Sequence, residues 1–217
     1  CPTTTCVLDN GALRFGTGAE NSVNTYGNLQ QPFYLSPTDS NYYKLTYDAY
    51  PLDMAVGSGT GGTNWSGATV QDSYAAALVN QTIDYSGYTV TGTAGSVTTG
   101  YGTVVSVGEM TLNGQTVQVT NEYILDNGVN FVKINTSVKN ISGSSVSNLN
   151  VWVGTRDDYV GSTDEPQKTK GNLDGADGAF QATTNATDPA SALMIQTADE
   201  GALFYSTSAG VNMAINE

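Results

Sequence analysis

The chain has 217 residues, enough to bury a core without metals or a disulfide framework. Charged residues make up only 12 % of it, about half the usual ~25 %, so the surface must be built from Ser, Thr, Asn, Gln and Gly. A net charge of −13 leaves no basic footprint for nucleic acid and disfavours anionic membranes.

Cys1 and Cys6 come first in the chain. Their spacing suits a small disulfide loop, which implies an oxidising compartment; acylation of an N-terminal Cys and two unpaired thiols are the alternatives. Residues 1–5 are extended and polar, an expected arm. Cys6–Leu8 and Leu13–Phe15 flank Asp9-Asn10-Gly11 and predict a first hairpin. Phe33–Leu35, Lys44–Tyr47 and Met54–Val56 are short strand segments. The glycine-rich run at 57–62 lacks the Lys-Ser/Thr of a phosphate loop and predicts only a loop. Ser73–Asn80 suits a short helix or a strand, and its apolar run from Tyr74 to Val79 is too short to span a bilayer. Thr82–Tyr85 and Tyr88–Thr93 predict a strand pair.

Residues 102–157 give the strongest pattern, an antiparallel meander. Asn113-Gly114 is a preferred two-residue hairpin turn, and Asp126-Asn127-Gly128 marks the next. ILDNGVNF at 124–131 echoes VLDNGALRF at 7–15, the same turn chemistry used twice. Alternation places Val117, Val119, Tyr123 and Leu125 on one face, and Val132, Ile134, Thr136 and Val138 on another strand's inner face. Lys133, Asn135, Ser137 and Lys139 then face outward. Leu149, Val151 and Val153 alternate with Asn150 and Trp152, which puts Trp152 opposite the valines, in solvent or under a neighbour as an interface or ligand residue. Gly108 interrupts the alternation and predicts a bulge. Beyond Asp157 the chain reads as loop to about Gly178. Leu193–Thr197 and Leu203–Ser206 flank a turn, and Val211–Ile215 predicts a last strand.

These patterns predict an all-β fold: one large domain over residues 1–217, an antiparallel β-sandwich of immunoglobulin-like or larger jelly-roll-like form. The run FVKINTSVKNISGSSVSNLNVWVGTRDD at 131–158 resembles a hairpin of secreted and surface immunoglobulin-like modules. The resemblance implies a sandwich and an extracellular setting, and carries no catalytic motif.

Histidine is absent, which removes Ser-His-Asp and Cys-His catalysis and His-ligated zinc. Asp157, Asp158, Asp164, Glu165, Asp174 and Asp177 cluster within 21 residues, an oxygen-rich set suited to calcium or simply to a solvated acidic loop. N-glycosylation sequons stand at Asn64, Asn80, Asn135, Asn140 and Asn185, about as many as the composition yields by chance. Asn135 falls on an outward strand face and Asn140 at a turn. Tyrosines cluster at Tyr42, Tyr43, Tyr47 and Tyr50, for core packing or for stacking on sugars.

Three functions remain open. The first is an extracellular or cell-surface structural protein: a glycosylated subunit of a filament, sheath or adhesin. It would self-associate or join other surface proteins through strands or terminal segments. The second is a calcium-dependent carbohydrate-binding module, and the third a glycan-active enzyme working without histidine.

Overall fold

The structure is a computed structural model and describes residues 1, 4–47, 50–58, 78–112, 114–155, 158–161, 163–175 and 177–215. It is all-β; among the described residues there is no helix. The described residues form three sheets, and every ladder among them except one is antiparallel.

The largest sheet holds eight strands. β1 (Thr5–Asp9), β2 (Leu13–Phe15), β3 (Pro32–Leu35) and β4 (Tyr42–Lys44) form a meander on one side. β6 (Val79–Ala94), β7 (Val97–Leu112), β8 (Gln115–Leu125) and β9 (Lys133–Asn140) form a second one. β7 joins them. β6 pairs along its whole length on one edge; on the other, β1 runs parallel to residues 97–100 and β8 antiparallel to residues 102–112. β1 and β8 therefore lie end to end on a single edge.

That arrangement explains the echoed turn sequences. The turn after β1 meets the turn after β8, and Asn10 clasps the two. Its Nδ2 donates to the carbonyls of Asp126 and Val129, both at 2.7 Å, while its Oδ1 accepts from the amides of Ala12 and Leu13. At the same junction β6 comes too close for any side chain on β7. A Cβ on Gly100 would stand 2.0 Å from the Thr89 carbonyl oxygen.

The second layer is a pair, β5 (Asp53–Ser58) with β10 (Leu149–Gly154). All six residues of β5 are buried. Met54 and Val56 pack with Leu78, Met110, Leu112, Val117 and Val119 between the layers. A second apolar cluster joins Leu8, Phe15, Leu29, Val104, Tyr123 and Leu125. Burying polar groups is tolerable only when they are bonded, and a polar belt meets that condition here. Ser106 and Asn121, opposite one another on β7 and β8, are both fully buried. Gln81 donates to Ser106 at 3.1 Å, and Thr136 donates to Asn121 at 2.8 Å. Asn121 Nδ2 and the Tyr123 hydroxyl both donate to the Gly27 carbonyl.

A third sheet comprises β11 (Gln167–Leu173), β12 (Phe180–Ala182), β13 (Ala192–Gln196) and β14 (Gly201–Tyr205) in the order β12-β11-β13-β14.

Several expectations change. The meander stops at β9: β10 crosses to the second layer and pairs with β5 instead of closing a hairpin. The eight-residue, serine-rich stretch after Asn140 turns on itself, with Asn140 bonded to Ser142 and Ser144 and Asn148 in the left-handed region at φ 51°. It offers no tight two-residue turn that would hold β10 beside β9. Thr82–Tyr85 and Tyr88–Thr93 are parts of one strand, β6, and its irregularities fall between Val79 and Thr82, Asp84 and Gly87, and Val90 and Gly92. The irregularity expected at Gly108 is present on one side of β7: its register with Val119 on β8 is unbroken, but towards β6 the register shifts across it, between the pairs Val79–Glu109 and Thr82–Val107, with the extra residue on β6. Residue 108 is glycine because Leu78 lies over it, 2.6 Å from where a Cβ would be. The expected loop before Gly178 contains β11. Val211–Ile215 forms no strand. Most of Ser73–Asn80 and of the 57–62 run lies outside the described residues.

Candidate functional site

Burial along the inner faces of the sandwich falls off in one direction. On β8, Val117, Val119, Tyr123 and Leu125 are fully buried. On β9, the next strand out, Ile134, Thr136 and Val138 are only half-buried. On β10, Leu149, Val151 and Val153 are 41 %, 43 % and 40 % exposed. These three share a side with Met54 and Val56, their neighbours across the β5 ladder, so they belong to the inner face. Val153 meets Ile134, Thr136 and Tyr123 around a small void between the layers. Among the described residues the sandwich is thus closed over β8 and open between β9 and β10. Sequence alternation located the inner face correctly; it carries no signal for whether a neighbour covers that face.

Both strands bordering the seam are edges. Among the described residues β9 pairs only with β8, and β10 only with β5. β9 is guarded in the usual way for an edge, with Lys133 and Lys139 on its outer face. β10 (LNVWVG) carries no charge at all. Trp152 lies on the other side of β10, half-buried, beside Gly154, where a Cβ would stand 2.7 Å from its ring. The longest edge is β6, sixteen residues or about 50 Å at a strand's rise, with Asp84 as its one charge.

Asn80, Asn135, Asn140 and Asn185 are all exposed. Asn135 donates to Glu122 at 2.7 Å on the outer face of β9, and Asn140 bonds within its turn. Asn64 lies outside the described residues, as does Asp157. The remaining acids are spread out. Asp158 pairs with Lys168 at 3.3 Å, Asp164 accepts from Tyr159 at 3.4 Å, and Asp174 and Asp177 shape the β11–β12 turn. Glu165 is exposed at the foot of β11. Among the described residues no three acidic or Cys side chains converge as a metal cage would require. Cys1 and Cys6 form a disulfide with their Cα atoms 5.9 Å apart.

One cluster had no signature in the sequence. Glu200, at the head of β14, accepts hydrogen bonds from Tyr34, Ser36 and Thr38, and the Gly161 amide donates to the Tyr34 hydroxyl at 2.6 Å. It joins the third sheet to the first across more than 160 residues. The Ser36 and Tyr34 hydroxyls hold the Glu200 carboxyl below its ordinary pKa. Burial, and then donation to that carboxylate, raises the pKa of Tyr34. Nearby, donation from Tyr43 and Asn41 lowers Asp39 to about 2. The outer face of β2–β4 has its own set. Arg14 pairs with Asp9 at 2.7 Å and lies 4.1 Å over the Tyr42 ring. Tyr42 is pushed up to about 12 by burial and by donation to Asp9. The Lys44 ammonium sits over the rings of Tyr47 and Tyr159, which stack at 5.9 Å.

No family model, no curated protein and no solved structure matches this chain. No helix among the described residues is long and apolar enough to cross a membrane.

Proposed function

We propose that this protein is a structural subunit of an extracellular or cell-surface assembly, a filament, sheath or adhesin, whose copies join through exposed strand edges. The observation that carries the reading is the open seam: an uncharged edge strand presenting Leu149, Val151 and Val153, each about two-fifths exposed, beside a half-covered β9. Unguarded edges template strand addition, so proteins blunt them or use them. The near-neutral edge of β6 points the same way. The sparsely charged surface and the Cys1–Cys6 disulfide support an oxidising, extracellular setting. Exposed Asn80, Asn135, Asn140 and Asn185 are suitable acceptors for glycans. Electron microscopy and sedimentation velocity over a wide concentration range test the reading. Fibres or concentration-dependent oligomers are expected; monomers at every concentration would refute it.

A second reading has its own support. Tyr47 is exposed and is held in place by Tyr159, Tyr50 and Lys44. A fixed aromatic face beside a cation suits stacking on a sugar ring, as a carbohydrate-binding module requires. A glycan array with wild type and Tyr47→Ala tests it; equal signals from the two proteins would end it.

A further inference from the structure

Residues Val211–Ile215 are patterned as a strand but belong to no sheet. Val211, Met213 and Ile215 are half-buried, and Asn212 and Ala214 are exposed, the period of two that a sheet imposes. Besides that half-burial, a few hydrogen bonds hold the segment: the Met213 amide donates to the Ala190 carbonyl at 2.9 Å, the Ala190 amide to Asn212 Oδ1 at 3.3 Å, and the Val211 amide to the Ser208 carbonyl at 3.4 Å. The same chain carries β10, a sheet edge that no described strand covers.

We infer that Val211–Ile215 of one copy adds as a third strand beside β10 of a second copy, closing the seam of that copy. The inference rests on the assembly reading and names its contact. The spacing matches, since three apolar residues at every second position meet Leu149, Val151 and Val153 at every second position, with Ile134, Thr136 and Val138 beneath. The electrostatics match as well. Neither segment bears a charge, so two molecules of net charge −13 meet where no like charges face each other. Lys133 and Lys139 lie on the outer face of β9, away from the inserted strand. Detaching the segment from its own molecule gives up the bonds named above and the half-burial of Val211, Met213 and Ile215, which insertion beside β10 would restore. Donor and acceptor are different surfaces, so the contact is head-to-tail and propagates into an open chain rather than a closed dimer.

A mixing experiment tests this directly. Met213→Asp spoils the donor and leaves the seam intact; Val151→Asp spoils the seam and leaves the donor intact. Each variant alone should sediment as a monomer. Mixed in equal amounts they should form a species of twice the monomer mass and nothing longer, since only one donor–seam pair remains functional. Near-ultraviolet circular dichroism checks that both variants fold. Should either fail to fold, excess peptide of residues 209–215 is added to wild type instead and should shorten its chains. Wild type that stays monomeric overturns the assembly reading itself. Wild type that assembles while Met213→Asp assembles equally well, or chains that the peptide does not shorten, overturns only the donor assignment. Protection of the β10 amides from exchange in wild-type monomer, lost in Met213→Asp, would show the segment filling its own seam and also overturn it.

Discussion

Asn10 offers a sharp test of how the two halves of the large sheet are joined. Its amide nitrogen donates to two carbonyls of the turn after β8, and its oxygen caps the turn after β1. Asn10→Asp keeps the oxygen and so keeps the local cap, but at neutral pH it replaces the donor with a charged acceptor. Two neutral hydrogen bonds contribute about 1–3 kcal/mol together. The site is partly exposed, which favours the lower half of that range; a carboxylate 2.7 Å from two carbonyl oxygens pulls the other way. We expect Asn10→Asp to destabilise by about 2 kcal/mol at pH 7, read from the midpoint of urea unfolding with unchanged slope. Below a carboxyl's ordinary pKa of about 4 the side chain regains a proton to donate, and the deficit relative to wild type should shrink. Asn10→Ala loses cap and clasp together, so its deficit should not depend on pH. If Asn10→Asp matches wild type within about 0.3 kcal/mol at pH 7, or its deficit ignores pH, the clasp contributes nothing to stability.

Two further expectations concern the links between elements. The pKa of Glu200 is lowered in the folded protein, so its contribution is fully present above the unfolded value of about 4.3 and is lost as pH falls through the lower folded value. Glu200→Gln should therefore flatten the loss of stability on acidification below about pH 5, while Asp39→Asn, acting on a carboxyl lowered to about 2, should alter only its more acidic end. Parallel pH profiles for Glu200→Gln and wild type would refute the first. Gly100→Ala should cost roughly 3 kcal/mol or more by thermal or urea unfolding, because its Cβ would overlap the Thr89 carbonyl. Gly95→Ala, at φ 60° with open space around it, should cost only about 1–2 kcal/mol; equal costs would contradict the close approach of β6 to β7.

The elements legible in the sequence were those whose information is local. β1–β2, β7–β8, β8–β9 and β13–β14 are hairpins with their turn residues between them, and period-two alternation assigned the faces of β8 and β9 correctly. What was illegible depends on partners far away in the chain. β10 looks like the return strand of a hairpin with β9, yet its partner is β5, almost a hundred residues earlier. Gly108 marks an irregularity as its break in alternation suggests, yet the extra residue lies on β6, between Val79 and Thr82, and the side chain that excludes a Cβ there is Leu78. Val211–Ile215 has the pattern of a strand, yet among the described residues no strand pairs with it. The site shows the same division. The exposed positions of Asn135 and Asn140 follow from alternation and turn chemistry, whereas the contact of Glu200 with Tyr34 and Ser36 needs the third sheet to be placed first.

Salt should separate an assembly held by an apolar seam from one held by ion pairs. Each molecule carries a net charge of −13, while β10 and residues 211–215 carry none. Attraction at the contact is then hydrophobic and through backbone hydrogen bonds, and the electrostatic term is repulsion between whole molecules. The screening length falls from about 30 Å at 0.01 M salt to about 8 Å at 0.15 M. Over that range the repulsion should be largely screened, and association should tighten as sodium chloride is raised, as measured by the concentration at which half the protein sediments as monomer. Salt bridges across an interface would give the opposite slope. Association that weakens between 0.01 M and 0.15 M salt would place the contact on charged surfaces such as the Asp158–Lys168 region, and would remove the uncharged edge of β10 as its seat.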